Sequence, residues 1–165
     1  MLVVFRSMKG LPLDQLMEIY IQSNTEGEHE QEDGRLARNE AALMDYLRYE
    51  LFPEGACFLW QEQGRAVSAL RCEPYRDGVL LAGLETLPEA RGKGYATKLV
   101  MGTLERLRSE AVEKIYVHIH RDNAPSLAVH RRCGFVRLKS GALLLDGSYS
   151  PAYDTFLMDY NHNPL

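Results

Sequence analysis

The chain has 165 residues, of which 45% are hydrophobic and 25% are charged, and its formal net charge is −4 at pH 7. This length suits one domain with a single core over residues 1–165, and the negative charge argues against a nucleic-acid surface. The longest apolar runs, Met1–Phe5 and Val79–Leu84, are too short to cross a bilayer, and no signal-peptide pattern opens the chain.

Hydrophobic periodicity and turn residues predict a strand, two helices and three further strands in the first half of the chain. A charged loop without apolar residues separates the two helices. The predicted elements are a strand at Leu2–Arg6, a helix from Pro12 with Leu13, Leu16, Met17 and Tyr20 on its apolar face, the loop Glu26–Asp33, a helix over Glu40–Leu51 capped by Asn39, and strands at Cys57–Glu62, Ala66–Cys72 and Val79–Leu87.

The second half of the chain predicts two helices and four strands, so that the fold class is mixed α/β without a doubly wound sheet. The three strand candidates nearest the end of the chain flank a polar loop. These elements are a helix with Ala96, Leu99, Val100, Leu104 and Leu107 on one face, a strand at Lys114–His120, a short helix opened by Asn123, strands at Phe135–Leu138, Ala142–Leu145 and Thr155–Met158, and the loop Asp146–Tyr153.

A glycine-rich turn, Arg91-Gly92-Lys93-Gly94-Tyr95-Ala96, joins the strand Val79–Leu87 to the helix that follows it. Unpaired backbone N–H groups at a helix start, beside the positive end of the helix dipole, bind phosphate or pyrophosphate. The spacing of a P-loop is not present in the chain. A dinucleotide fingerprint is weak, because Thr97 stands where a third small residue is needed and no parallel strand–helix series precedes the turn.

The turn resembles the Q/R-x-x-G-x-G/A signature of the GNAT superfamily of acyl-CoA-dependent N-acetyltransferases through Arg91, Gly94 and Ala96. Downstream, the segment Asn123-Ala-Pro-Ser126-Leu-Ala-Val-His130-Arg-Arg-Cys-Gly134-Phe135 resembles a second family element, N-x-x-A/S-x-x-x-Y-x-x-x-G-F. The resemblance implies a central, mostly antiparallel sheet that is splayed between its fourth and fifth strands and flanked by about four helices.

The same resemblance implies how the cosubstrate, acetyl-CoA, is bound. The glycine-rich turn would hold the pyrophosphate by its backbone N–H groups, and the end of the preceding strand would hold the pantetheine and supply an oxyanion donor. The predicted cofactor contacts are Thr86, Leu87, Arg91, Gly92, Lys93, Gly94, Tyr95, Ala96, Asn123 and Ser126. Lys93, Lys98 and Arg131 are candidates for the 3′-phosphate, although exposed basic residues on helices are common.

Transfer of an acetyl group to an amine needs a base for the amine and benefits from an acid for the departing thiolate. His130 stands where many family members have a tyrosine acid, and an imidazolium can donate a proton near neutral pH. The alternative is that His130 only packs against the cofactor. For the base, His118 is preferred, then Glu85 and then His120; each is also compatible with an ordinary polar strand residue, and ordered water is a further alternative.

The acceptor is predicted to be a primary amine, either of a small molecule or of a peptide amino terminus. The acidic loop Glu26–Asp33 would attract an ammonium group or a polyamine, although a solvated loop is the plainer interpretation. Tyr149, Tyr153 and Asp154 would also suit a cation. The position of His118, by resemblance to the protein-acetylating branch, favours a peptide instead.

A second hypothesis from another class is a catalytically silent acyl-CoA-binding sensor or partner module, which the missing tyrosine at His130 favours.

The three cysteines, Cys57, Cys72 and Cys133, have no metal-ligand or redox spacing. They indicate reduced, mostly buried thiols in a cytoplasmic protein with no metal site, and Cys133 is interpreted as buried and not as a nucleophile. Dimers are common in the family, so a homodimer is the candidate assembly, with no nucleic acid or membrane as partner.

Overall fold

The structure is a computed structural model that describes residues 1–24 and 40–162. The described helices are α1 (Leu13–Asn24), α2 (Glu40–Asp45), α3 (Tyr95–Ser109) and α4 (Ala124–Arg132), with a π-helical turn at Tyr46–Leu51 and a 3₁₀ turn at Pro88–Ala90. The described strands are β1 (Leu2–Phe5), β2 (Ala56–Glu62), β3 (Arg65–Tyr75), β4 (Gly78–Thr86), β5 (Lys114–His120), β6 (Val136–Leu143) and β7 (Tyr149–Asp159).

The described strands form a seven-stranded sheet in the order β1-β2-β3-β4-β5-β7-β6. Neighbouring strands are antiparallel except β4 and β5, which run parallel. The connection from β4 to β5 passes through α3, as a parallel crossover requires. The predicted class, a mixed α/β fold with a mostly antiparallel sheet, is therefore confirmed.

The two parallel strands pair over only a short stretch and then separate. Val79–Leu81 pairs with Ile115–Val117, whereas β4 continues on β3 as far as Thr86 and β5 continues on β7 as far as His120. A β-bulge in β4 accompanies the separation. Ala82 pairs with Arg71 and Glu85 pairs with Ala69, so two residues of β3 lie opposite three residues of β4. The predicted splay between the fourth and fifth strands is confirmed, and we refer to the opening as the β4–β5 gap.

Each face of the sheet carries its own hydrophobic core. On the front face, α1, α2 and the π-helical turn cover β2 and β3 through buried residues that include Leu16, Tyr20, Leu47, Leu59 and Ala69. On the back face, α3 and α4 cover the centre of the sheet through residues that include Phe58, Leu99, Ile115, Val117 and Phe156. Further along the front face, Tyr75, Leu80 and Tyr116 form a smaller cluster on β3, β4 and β5.

The predictions near the end of the chain need correction. The two short strands expected at Phe135–Leu138 and Ala142–Leu145 are one strand, β6, whose register shifts around Gly141. The expected loop Asp146–Tyr153 is wrong from Tyr149 onward, because that segment already pairs with β6 as part of β7. Polar side chains misled the prediction, since an edge hairpin tolerates them on its solvent side.

The helix predicted over Glu40–Leu51 is helical throughout, but it changes from α to π geometry at Tyr46. The proposed cap Asn39 and the acidic loop Glu26–Asp33 lie outside the described residues. Among the helices in residues 1–24 and 40–162, none is long and apolar enough to span a membrane.

Candidate active site

The glycine-rich turn forms an open cradle at the start of α3. Gly92 and Gly94 have left-handed backbone conformations, with φ +74° and +80°, which glycine adopts without a Cβ penalty. A Cβ built on either glycine would meet no heavy atom within 4 Å, so the space in front of the turn is open. The first hydrogen bond of the helix runs from the Lys98 N–H to the Gly94 carbonyl (3.0 Å), and the amides before it have no helical carbonyl to reach.

The end of β4 is tied both to the neighbouring strand and to the cradle. The Thr86 hydroxyl lies 2.9 Å from the Ser68 hydroxyl, and the Thr86 carbonyl accepts from Nε of Arg91 (3.2 Å). The Leu87 N–H donates to the Val67 carbonyl (3.0 Å), and the Leu87 side chain is buried. The prediction that the Leu87 backbone binds a cofactor is therefore restricted to its carbonyl, because β3 occupies the amide.

The second motif builds the start of α4. Asn123 caps this helix, since its side-chain oxygen accepts from the Ser126 N–H (3.1 Å). One turn later, Nδ1 of His130 lies 2.8 Å from the Ser126 carbonyl and 3.2 Å from the Ser126 hydroxyl. A carbonyl oxygen only accepts, so this geometry assigns the Nδ1 proton to that bond. His130 is 2% exposed, its ring packs edge-on against Phe135, and burial lowers its pKa.

Three polar side chains of the front face, those of Glu85, His118 and His120, lie on the two strands that border the β4–β5 gap. In antiparallel pairs, directly opposed residues point to the same face. Glu85 lies on β4 opposite the front-face residue Ala69, and Arg71 lies on the same face of β3, one strand away from the gap. His118 and His120 follow Val117, the last β5 residue paired with β4, and share the face of Tyr116.

His118 is the most perturbed of these groups. Its ring packs edge-on against Tyr75 with 5.2 Å between centroids, and within the described residues its buried Nε2 has no hydrogen-bond partner. Burial lowers the pKa of His118 to about 4, and the positive charges of Lys139 and Arg76 act in the same direction. The imidazole is therefore neutral at pH 7, and its Nε2 is buried without a hydrogen-bond partner among the described residues.

His120 is held differently from His118. Its Nδ1 accepts from the Asp122 N–H (3.2 Å), and its ring packs edge-on against Tyr153 at 5.3 Å. The orientation of this imidazole is thus fixed by the turn that follows β5. Of the two strand histidines, His118 is the one that presents an uncommitted nitrogen among the described residues.

The prediction that Asp154 helps to bind a cationic acceptor is corrected by the structure. Asp154 lies opposite Ile119, a back-face core residue, and its carboxylate receives Nε of Arg121 (3.0 Å) and Nε of Arg137 (2.9 Å). Its charge is already balanced on the face opposite His118. Tyr149 is also displaced from the gap: it lies at the sheet edge across Gly141, and only Tyr153 reaches the front face beside His120.

Arg71, on the front face of β3, was not among the predicted site residues. The signal was present, because Arg71 interrupts the otherwise uncharged strand Ala66–Cys72. A charged residue in the interior of an apolar strand is rarely fully buried without a specific environment. Here Arg71 is 4% exposed and lies over the rings of Tyr46 and Tyr20.

None of the three cysteines is activated as a nucleophile, because burial raises the pKa of each thiol. Burial raises the pKa of Cys57 and of Cys72 to about 12, and that of Cys133 to about 11. All three are free thiols, and Cys57 and Cys72 are buried as predicted. The prediction that Cys133 is buried is corrected: it is half-buried, with its Sγ 3.9 Å from the Thr97 carbonyl. Within residues 1–24 and 40–162, no group of three or more histidine, cysteine, aspartate or glutamate side chains is placed to hold a metal ion.

The sequence profile of the Acetyltransferase (GNAT) family matches residues 13–135. A parallel strand pair that opens into a gap, followed by a glycine-rich cradle at a helix start, is the arrangement that the sequence motifs implied. The chain belongs to the GNAT acetyltransferase family. Acetyl-CoA is the cosubstrate of this family.

Curated relatives match part of the chain. A mycothiol acetyltransferase of Saccharomonospora viridis is 33% identical over 61 residues, which cover 37% of this chain and 20% of that protein. The N-alpha-acetyltransferase 30 of Schizosaccharomyces pombe is 29% identical over 87 residues, which cover 50% of this chain and 58% of that protein. The matched segments thus span less than two thirds of either relative.

Solved structures match the fold over almost its whole length. The PaiA N-acetyltransferase of Thermoplasma acidophilum, in complex with coenzyme A, has a TM-score of 0.72 at 11% identity and covers 97% of this chain and 99% of its own. YncA of Salmonella typhimurium, solved with acetyl-CoA, has a TM-score of 0.74 at 13% identity and covers 100% of this chain and 97% of its own. At these identities the likeness concerns the fold.

Proposed function

We propose that this protein is an acetyl-CoA-dependent N-acetyltransferase, a single GNAT domain over residues 1–165 that moves an acetyl group directly to a primary amine. The observation that carries the proposal is the β4–β5 gap, which has a phosphate-type cradle at the end of β4 and polar side chains on its front face. Membership of the GNAT family supports acyl transfer from coenzyme A. That the acceptor is a primary amine is part of the proposal and goes beyond family membership.

The cradle would hold the pyrophosphate of acetyl-CoA. The backbone N–H groups from Gly92 to Ala96 would donate to this group, and the positive end of the α3 helix dipole would attract its negative charge. Arg91 positions the turn through its bond to the Thr86 carbonyl, and Lys93 is tied to the Glu89 carbonyl (3.0 Å). The pantetheine arm would then lie in the gap, between the end of β4 and the α4 residues Asn123 and Ser126.

In the proposed reaction, the amine nitrogen attacks the thioester carbonyl, the new C–N bond forms and the C–S bond breaks. The amine proton passes to a base on the front face, and coenzyme A leaves as a thiolate. His118 is the first candidate for the base, because it is neutral at pH 7 and its Nε2 lacks a partner among the described residues. Glu85, on the opposite side of the gap, is the second candidate.

His130 is the candidate acid for the thiolate, and its geometry sets a condition on that role. The Nδ1 proton is engaged by the Ser126 carbonyl, so only a proton on Nε2 would be available. Because burial lowers the pKa of His130, that proton is present on a minority of molecules above pH 6.5. The acid role of His130 is therefore proposed to weaken as pH rises, and water would then protonate the thiolate.

The second candidate function is an acyl-CoA-binding module without turnover. A buried, mostly neutral His130 in place of the family's tyrosine supports it, because the leaving thiolate would then lack an efficient acid.

A cytoplasmic location belongs to the proposal as well, and three free thiols are compatible with a reducing compartment. A homodimer also stays a proposal.

The test is thiol release from acetyl-CoA with a panel of polyamines, amino acids, aminoglycosides and short peptides, with acetyl-CoA binding measured in parallel by calorimetry. Turnover with any amine class supports the enzyme. Binding without turnover on every class supports the sensor, and no binding would contradict both.

The base is assigned by comparing His118→Gln, Glu85→Gln and His120→Gln, and His162→Gln, which replaces an exposed histidine, is the control. We expect the true base to lose about 100-fold or more in kcat with unchanged acetyl-CoA affinity. Losses below about threefold in His118→Gln, Glu85→Gln and His120→Gln alike would point to a base acting through water.

A further inference from the structure

Two hydroxyl groups lie side by side where β4 approaches the cradle. The Ser68 hydroxyl lies 2.8 Å from the Glu85 carbonyl oxygen and 2.9 Å from the Thr86 hydroxyl oxygen. Ser68 is 0% exposed, whereas Thr86 is half-buried. The two residues pair across β3 and β4, one step from the front-face pair of Ala69 and Glu85, so their side chains point to the back face, which α3 covers.

The direction of these two hydrogen bonds follows from the number of protons. A serine hydroxyl has one proton to donate, and a carbonyl oxygen only accepts. The Ser68 proton therefore goes to the Glu85 carbonyl, and the second bond uses the Thr86 proton, with the Ser68 oxygen as its acceptor. The Thr86 hydroxyl has no further proton to donate, so it presents only lone pairs to another partner.

Thr86 lies where the β4–β5 gap meets the cradle. It is the last residue of β4, a strand that borders the gap, and the parallel pairing with β5 has ended well before it. Its carbonyl accepts from Nε of Arg91 (3.2 Å), the residue with which the glycine-rich turn begins. A ligand that occupies both the cradle and the gap passes this residue.

The chemistry of the Thr86 oxygen suits one part of coenzyme A. The pantetheine arm carries amide N–H groups and a hydroxyl, which donate, whereas ionised phosphate groups only accept. An oxygen that only accepts therefore favours the arm and not the pyrophosphate. The cradle has the opposite preference, because its backbone N–H groups donate. The two neighbouring features thus complement different parts of the same ligand.

We propose that the Thr86 hydroxyl accepts a hydrogen bond from a donor of the pantetheine arm, and that Ser68 fixes the polarity of this hydroxyl. Thr86 touches the cofactor through its side chain, whereas Ser68 is a positioning residue that acts through Thr86. The inference rests on acetyl-CoA as the cosubstrate of the family and does not depend on the acceptor. It applies equally to an enzyme and to a module without turnover.

The first experiment measures the binding of two ligands to the full chain carrying Thr86→Val, by isothermal titration calorimetry. The ligands are coenzyme A and adenosine 3′-phosphate 5′-diphosphate, which lacks the pantetheine arm. Valine has the shape of threonine without its hydroxyl, so we expect coenzyme A to bind at least about fivefold more weakly than to the wild type. The ligand without the arm is expected to bind unchanged. An equal loss for both ligands, or no loss for either, would overturn the proposal.

Control variants separate the hydroxyl from the fold. Thr86→Ser keeps the acceptor oxygen and is expected to bind coenzyme A nearly as the wild type does. Thr155→Val removes a buried hydroxyl that donates to the Gly141 carbonyl (2.8 Å) on the other side of the gap, and it is expected to leave both affinities unchanged. Weak binding of coenzyme A by either control would contradict the proposal. If Thr86→Val does not fold, Thr86→Cys is expected to show the same selective loss, because a thiol sulfur is a weak acceptor.

The second experiment tests Ser68 by a double-mutant cycle on the affinity for coenzyme A. Ser68→Ala leaves the Thr86 proton without its acceptor, so the hydroxyl rotates and binding weakens by about threefold. In the Thr86→Val background the same substitution is expected to have no further effect, because Ser68 acts through that hydroxyl. Equal losses in both backgrounds would show that Ser68 acts on the fold alone and would overturn its positioning role.

Failure of the proposed function is recognised separately. If neither ligand binds the wild type, the cradle and this inference fail together. If coenzyme A binds with the expected selectivity but no amine of any class releases thiol, only the N-acetyltransferase proposal fails.

Discussion

Burial decides the protonation state of both histidines that the motifs singled out. His118 and His130 lose hydration on opposite faces of the sheet, and each has a lowered pKa as a result. A neutral imidazole can accept a proton, as the base role of His118 requires, but its pKa of about 4 makes it a weak base. A neutral ring suits the acid role of His130 less well, since that role needs the imidazolium.

Replacement of His130 tests this difference. We expect His130→Phe to lower kcat by about tenfold or more, while acetyl-CoA affinity changes less. The loss is expected to be larger at pH 6 than at pH 8, because only the protonated ring donates and its population rises as pH falls. Steady-state kinetics at both pH values, with calorimetric binding of acetyl-CoA, measures both effects. An unchanged kcat at pH 6 would show that another group protonates the thiolate.

Helix starts are the elements on which the proposed cofactor site depends. The first turn of α3 carries the glycine cradle, and the first turn of α4 is capped by Asn123. In α4 the Asn123 side chain satisfies a helical N–H from outside the helix, and in α3 the proposed cofactor would do so.

Gly94→Trp is expected to lower acetyl-CoA affinity by at least about 100-fold, because the indole fills the cradle. The fold has room for the substitution, but φ of +80° strains any residue other than glycine. Gly64→Trp is the matched control: Gly64 has φ +79° and open space in the β2–β3 turn, away from the cradle. Isothermal titration and thermal melting of both variants separate strain from blocked binding; normal affinity in Gly94→Trp would refute the cradle.

Asn123→Ala is expected to destabilise the protein by about 1 kcal/mol through loss of the α4 cap. In a domain of this size the melting temperature would fall by about 2–4 °C. Asn123→Ser keeps a capping oxygen and is expected to melt close to the wild type. If Asn123→Ser retains its melting temperature and loses acetyl-CoA affinity, the asparagine contacts the cofactor; if neither variant changes the melting temperature, the capping contact has no energetic weight.

At the scale of the whole molecule, one sheet is covered on both faces, and its centre opens where two strands part. The front core holds α1 and α2 against β2 and β3, and the back core holds α3 and α4 against the middle strands. The gap lies between the two covered faces, and His118 lies beside it on the front face. Histidines buried near it make the stability of the fold depend on pH.

Stability is expected to fall as pH drops from about 6.5 to about 4. In this window the unfolded chain binds a proton at His118, whose ordinary pKa is about 6.5, while the folded pKa of about 4 resists it. The loss attributable to His118 is at most about 1.4 kcal/mol per pH unit, and it stops changing below pH 4. The carboxyl of Asp77, with a pKa lowered to about 2 chiefly by its hydrogen bond to Lys114, contributes only at lower pH.

Chemical denaturation of the wild type and of His118→Gln across pH 4–7 measures this effect. The variant is expected to show a shallower pH dependence. His162→Gln, which replaces a histidine with an 82% exposed side chain, is the control and is expected to follow the wild type. Equal slopes in the wild type and His118→Gln would mean that the folded protein protonates His118 as readily as the unfolded chain does.

The sequence by itself determined the elements whose patterns are local. The apolar alternation of Lys114–His120 gave β5 with its exact bounds, and the glycines before Tyr95 and the Asn123 cap placed the starts of α3 and α4. Local patterns failed in the hairpin of β6 and β7, where the edge strand is polar and bulged. The sheet order and the gap agree with the fold that the family resemblance implied. Hydrophobic periodicity alone did not predict them.

Only the tertiary structure decided which side chains meet. Arg71 lies opposite the start of the β4 bulge because of the register between β3 and β4. Asp154 is removed from the gap because β7 turns that carboxylate to the back face between two arginines. The protonation of His118 likewise depends on Tyr75, Arg76 and Lys139, which come from other parts of the chain. Register and burial are non-local properties, so residue types and spacing alone cannot specify them.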